Sequence, residues 1–141
     1  MIELVRTVCG VLCKTAAQAR AVADVLGEVI DDPDGMPLGV RPSDVRLSTV
    51  RVAREASGEA VSVDLVAAEG SLPGVAALVA AFGPYRVPPR VSWNSPVRIV
   101  FALDPGADHP ATCTLLATLA SAADPIDAGA ACVLTLRRDP R

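Results

Sequence analysis

Aromatic side chains are scarce: Phe82, Tyr85, Trp93 and Phe101 are the only four among 141 residues. A core in this chain must therefore be built mainly from Val, Leu, Ile and Ala, with few large anchors. Lysine is almost missing, Lys14 being the only one, and His109 is the only histidine. Arginine supplies every other cation, a skew that fits GC-rich coding better than an arginine-specific mechanism. No apolar run approaches the roughly eighteen residues that a membrane-spanning helix needs, which argues against an integral helical membrane protein. The first nineteen residues imitate a secretion signal, with Arg6, a short apolar stretch and Ala17-Gln18-Ala19. Lys14 interrupts that stretch and Glu3 cancels Arg6, so an export signal is not expected. A cytoplasmic location follows, with the four cysteines as reduced thiols.

Phosphate-binding glycine signatures are also lacking, since Gly70, Gly74 and Gly83 make neither a Walker nor a dinucleotide fingerprint. Asp31, Asp32 and Asp34 offer oxygens within one turn but without the alternating spacing or closing glutamate of a calcium loop. The net charge of −3 and the pI near 5.0 argue against nucleic-acid binding, which relies on clustered cations. No cofactor is expected.

What the chain does have is 51% hydrophobic residues against 21% charged ones, a balance that folds, at a length suited to one domain over 1–141 with 139–141 as a short tail. Residues 2–12, rich in apolar and β-branched side chains, read as a buried strand. Thr15 and Gln18 form a capping-box pair ahead of Ala19, Val22, Ala23, Leu26, Val29 and Ile30 at helical spacing. Residues 31–35, Asp-Asp-Pro-Asp-Gly, stop that helix. Segments 45–54 and 60–67 read as a hairpin, with a bulge near Ser48 reconciling a change of parity. Ser71 and Pro73 open a second helix that ends at Gly83-Pro84. Extended segments follow at 91–93 and 96–103. Asp108 then caps a third helix starting at His109-Pro110, with Leu115, Leu116, Leu119 and Ala123 on its inner side, and a last strand spans 130–136. The order is an α+β, ferredoxin-like split βαβ core, β-α-β-β-α-β, with a C-terminal α-β extension, about five strands and three helices.

Cys9, Cys13, Cys113 and His109 are the donors with metal chemistry. On a strand, Cys9 and Cys13 stand about 13 Å apart, too far for one ion, so no metal site is expected and the thiols read as small apolar side chains. Cys113 near the start of a helix, with His109 four residues before it, is the nearest approach to a thiol nucleophile.

Charge distribution gives a different lead. Residues 21–40 carry five acids, among them Asp31, Asp32 and Asp34, and no cation, whereas 70–103 carries Arg86, Arg90 and Arg98 and no acid. Tyr85, Arg86, Arg90, Trp93 and Arg98 place cations beside aromatics, a mixture enriched at binding hot spots, on a backbone stiffened by Pro84, Pro88 and Pro89. The expected function is a non-enzymatic protein interaction or assembly module, self-associating through the acidic 31–34 loop (Asp31, Asp32 and Asp34) against the 86–98 segment, or binding a separate protein. The alternative is a small-molecule-binding domain or small thiol-dependent enzyme.

Overall fold

The computed structural model describes residues 1–121 and 124–141. Its elements are α1 (Ile2–Leu12), α2 (Ala19–Leu26), β1 (Gly27–Asp31), β2 (Leu38–Pro42), β3 (Leu47–Arg54), β4 (Ala60–Ala67), α3 (Val75–Phe82), β5 (Arg98–Leu103), β6 (Ala111–Leu119), a short 3-10 turn (Ile126–Ala128) and β7 (Ala131–Pro140). The strands form one seven-stranded sheet in the order β1-β2-β3-β4-β7-β6-β5, antiparallel at every pairing. This overturns the ferredoxin-like expectation: the fold is mostly β and has no split βαβ core of about five strands.

The first error lies in residues 2–12, which form a helix. Glu3, Arg6, Thr7 and Gly10 recur at helical spacing, leaving Val5, Val8, Cys9 and Leu12 buried along the opposite stripe. The polar stripe is tied together by an Arg6–Glu3 ion pair at 2.6 Å and by the Thr7 hydroxyl donating to the Glu3 carbonyl at 2.9 Å. β-branched content concealed this period because Val and Ile cost a helix only tenths of a kcal/mol each, about 0.7 at most.

The second helix keeps its stripe of Ala19, Val22, Ala23 and Leu26 but is shorter than expected. Gly27 ends it, and Val29 and Ile30 lie in an edge strand. Gln18 stands at its N-cap without a side-chain cap bond, so the Thr15/Gln18 capping box does not form. In the third helix Gly74, not Ser71, holds the N-cap.

The helix expected from Asp108 is strand β6. Ala111, Cys113, Leu115, Ala117 and Leu119 are buried in strict alternation with half-buried Thr112, Thr114, Leu116 and Thr118, and a period of two cannot lie on one helical face. Ala123, placed in that helix, lies outside the described residues. Segment 91–93 is bends and a turn rather than an extended strand. The 45–54 and 60–67 hairpin is present as β3 and β4, with its register shifting between Leu47 and Thr49, at the expected bulge.

Two rows of buried side chains cross the sheet. One runs Val40, Val50, Leu65, Leu134, Ala117, Ile99 and the other Leu38, Val52, Val63, Leu136, Leu115, Phe101, each residue opposite the next. All are 3% exposed or less. Helix α2 packs over β1 to β4, and α1 over β4, β6 and β7, closing the core on that face. Residues 139–141 are not a loose tail: Asp139 and Pro140 pair with β6, and the Arg141 guanidinium donates to the His109 and Gly106 carbonyls, each at 2.7 Å.

The loop between β2 and β3 carries a pH-sensitive contact. Arg46 donates its backbone N–H and Nε to Asp44 Oδ1 at 2.9 and 3.0 Å, and Nη2 to Oδ2 at 2.6 Å, which draws the Asp44 pKa from 3.8 to about 2. A depressed carboxyl pKa stabilises the fold above the unfolded value and loses that contribution as pH falls through the folded one. Asp44→Asn is therefore expected to lower thermal stability at neutral pH and to flatten its loss between about pH 4 and about pH 2, the variant and parent melting temperatures converging toward acid, as measured by melting at stepped pH. An unchanged acid limb would assign the sensitivity elsewhere.

Candidate functional site

Because residues 2–12 are helical, Cys9 and Cys13 are one turn apart on one face instead of diverging along a strand. Cys13 occupies the C-cap of α1, its N–H bonded to the Cys9 carbonyl at 3.1 Å. Cys113 faces them from the inner side of β6, the strand next to the β5 edge. The Cys13 and Cys113 sulfurs are 3.0 Å apart, and all three sulfurs lie within 4.8 Å of one another. All three residues are buried. The separation that argued against a shared site is thus removed. A period of polar residues at 3, 6, 7 and 10 was the signal that could have revealed it.

The three thiols differ in acidity. Hydrogen bonding from Cys113 holds the Cys9 pKa below its ordinary value. The same bond, together with burial, pushes Cys113 up, and burial raises Cys13 to about 11. Cys9 also borders a cleft of about 410 Å³ lined by Arg6, Gly10, Phe82, Leu103 and Asp104, with the Arg6 guanidinium 5.7 Å from the centre of the Phe82 ring. Cys132 stands apart, half-buried on β7, its thiol 3.4 Å from the Thr118 carbonyl.

The expected Cys113 and His109 pairing does not arise in the form anticipated. No helix begins there, so no helix N-terminus favours a Cys113 thiolate, and the residue is 2% exposed. His109 sits in the turn before β6, its N–H bonded to the Gly106 carbonyl at 3.1 Å and its buried Nδ1 without a partner.

The charged residues singled out from sequence lie at opposite ends of the sheet. Asp31 closes β1, at one edge, and Asp32 and Asp34 follow in the turn to β2. Asp32 is neutralised within the chain by Arg54 at 2.6 Å and Arg20 at 2.9 Å, the Arg54 bond being the larger cause of its lowered pKa. Asp31 and Asp34 are exposed and take part in no ion pair among the described residues. At the other edge, Arg86 bridges Val100 of β5 through reciprocal backbone bonds of 3.0 and 2.9 Å. Arg90 donates to the Trp93 carbonyl at 3.2 Å, and Arg98 opens β5. Tyr85 is different from its neighbours: its ring packs edge-on against Phe101 with centroids 6.1 Å apart, and its hydroxyl donates to Asp127 at 2.5 Å. It anchors the segment rather than presenting a free surface. Trp93 is 87% exposed, with Val91 at 96% and Val87 at 50%.

No protein-family model matches this chain, and no curated protein matches it. Among solved structures, a DUF4309 family protein, YjgB, from Bacillus subtilis has a similar fold, with a TM-score of 0.57 over 98% of this chain and 95% of that one. The two are 12% identical, so the likeness concerns architecture alone. Among the described residues, no helix is long and apolar enough to cross a membrane.

Proposed function

We propose that this chain is a non-enzymatic assembly module that associates head to tail with copies of itself, joining the β5 end of one molecule to the β1 end of the next. The observation that carries this reading is the exposed apex of Val87, Val91 and Trp93, flanked by Arg86, Arg90 and Arg98. A tryptophan left almost wholly in water is unusual for a side chain of its size. The opposite edge offers a counterpart of matching chemistry, since Ile30 and Met36 are 56% and 57% exposed beside the unpaired carboxylates of Asp31 and Asp34. Apolar contact supplies affinity and opposite charge supplies register. An interface between different patches repeats in one direction and closes into a ring or extends as a filament.

The expected result for Arg86→Glu, Arg90→Glu and Arg98→Glu combined is a loss of association of at least about tenfold, roughly 1.4 kcal/mol, measured by sedimentation at low salt. Adding Asp31→Arg and Asp34→Arg to those changes is expected to restore it. A wild-type chain that stays monomeric at every concentration and salt would exclude self-assembly. A cytoplasmic location belongs to this reading, supported by the four cysteines being free thiols. The cleft beside Cys9 favours the second reading, a small-molecule-binding domain or thiol-dependent enzyme.

A further inference from the structure

We infer that Cys9, Cys13 and Cys113 form a three-thiolate binding site for a soft monovalent cation, copper(I), reached through the cleft beside Cys9. The assembly reading makes no use of these residues, and the two stand independently. At metal–sulfur distances of about 2.3 Å, three sulfurs arranged around one ion stand about 4 Å from each other. The separations here, 3.0 Å for one pair and no more than 4.8 Å for any, bracket that value. Cys13 lies at the helix C-cap, where the chain leaves α1, so its sulfur can adjust without disturbing the helix.

Ligand chemistry selects the ion. The group comprises three sulfurs and, among the described residues, no histidine or carboxylate belongs to it. Zinc in structural sites takes four ligands, whereas an all-thiolate set of three suits copper(I). A second observation concerns charge. Arg138 stands directly opposite Cys113 in the β6–β7 register, and its Nε is buried without an acceptor. Its Nη2 donates to the Lys14 carbonyl at 3.4 Å and its Nη1 lies 3.9 Å from Glu59, so part of its charge is already answered; the free Nε–H is what remains to face the net negative charge that three thiolates around a single positive ion leave in the interior. Of the three, Cys9 is the one that lines the cleft. Each thiol that binds as thiolate releases its proton to solvent and no electron moves, so affinity rises with pH.

The test is a titration of the reduced full-length chain with copper(I) under anaerobic conditions, against a chromophoric copper(I) chelator. One ion per chain is expected. Cys9→Ala, Cys13→Ala and Cys113→Ala should each weaken binding at least about tenfold, a magnitude like that of losing one ligand from a metal shell, whereas Cys132→Ala should not. X-ray absorption on the copper-loaded wild type gives a readout independent of variant folding, with three sulfur neighbours expected and no nitrogen or oxygen. The inference is overturned if the reduced chain yields its copper to the chelator, if Cys132→Ala weakens binding as much as the others, or if zinc is retained and copper(I) is not. It is likewise overturned if the reduced chain takes no copper and oxidation yields a Cys13–Cys113 disulfide, two hydrogens lighter.

Discussion

Phe101→Ala is expected to destabilise the fold by about 3–5 kcal/mol, as read from the urea midpoint at constant m-value. Phe101 is fully buried and stands opposite Leu115 in the β5–β6 ladder. The rings of Phe82 and Tyr85 pack edge-on against it, with centroids 6.2 and 6.1 Å away. In a chain with four aromatic residues this is the one cluster of rings, and the surrounding aliphatic side chains have no means of refilling the space. The total stability of a domain is about 5–15 kcal/mol, so the single truncation removes a large fraction of it. Phe101→Leu, which keeps most of the volume, should cost less than about 1.5 kcal/mol. A second consequence concerns the 86–98 segment. Tyr85 rests on Phe101 and Arg86 bonds to Val100, so losing the ring loosens the base of that segment, and association should weaken along with stability. A loss below about 1 kcal/mol would show that the ring is not a principal part of the core.

Gly27→Ala is expected to cost about 3 kcal/mol, at the upper end for overpacking. A Cβ at Gly27 would lie 2.0 Å from the Arg41 carbonyl oxygen, 2.9 Å from its carbon and 3.0 Å from Pro42 Cα. These are backbone atoms of the neighbouring strand, so no rotamer change relieves the contact and β1 must move away from β2. Amide exchange should therefore accelerate first in β1, ahead of global unfolding. Gly10→Ala provides the opposite case: a Cβ there meets nothing within 4 Å, and the position is inside α1, so a gain of about 0.5–1 kcal/mol is expected. If both substitutions cost the same, the close approach of β1 to β2 would not be what makes Gly27 necessary.

Gly27 also explains one of the misread elements. The stripe from Ala19 continues in sequence through Val29 and Ile30, so periodicity alone extends the helix to residue 30. The close strand approach that ends it depends on Arg41, fourteen positions away, which a local pattern does not contain. The β3–β4 hairpin, by contrast, was legible down to its bulge, because both strands and the turn joining them lie within about twenty consecutive residues. Residues 2–12 and 111–119 were each misassigned, in opposite directions. In the first, β-branched composition outweighed a polar stripe at helical spacing. In the second, capping signals at Asp108 and His109-Pro110 outweighed the alternation of buried positions from Ala111 to Leu119. In both, the period of the observed element is present in the sequence while local propensity points the other way.

The candidate sites divide in the same way. The contrast between acidic and arginine-bearing stretches is a property of composition and was visible directly. That Asp32 is satisfied by Arg20 and Arg54, and that Tyr85 is held against Phe101, depends on partners far along the chain. The thiol cluster depends on them most, since Cys9 and Cys113 are 104 residues apart and meet only because α1 crosses β6.

By itself the sequence determined that an aliphatic core would form, that α2 would carry an apolar stripe, that residues 47–67 would turn back on themselves, and which surface stretches would carry opposite charge. These follow from side-chain chemistry and near-neighbour periodicity. The tertiary structure alone decided the seven-stranded order, the assignment of the two ambiguous segments, and the meeting of three sulfurs. Those outcomes are set by which segments bury each other's apolar faces, an interaction between residues that are remote in the chain and adjacent only once it has folded.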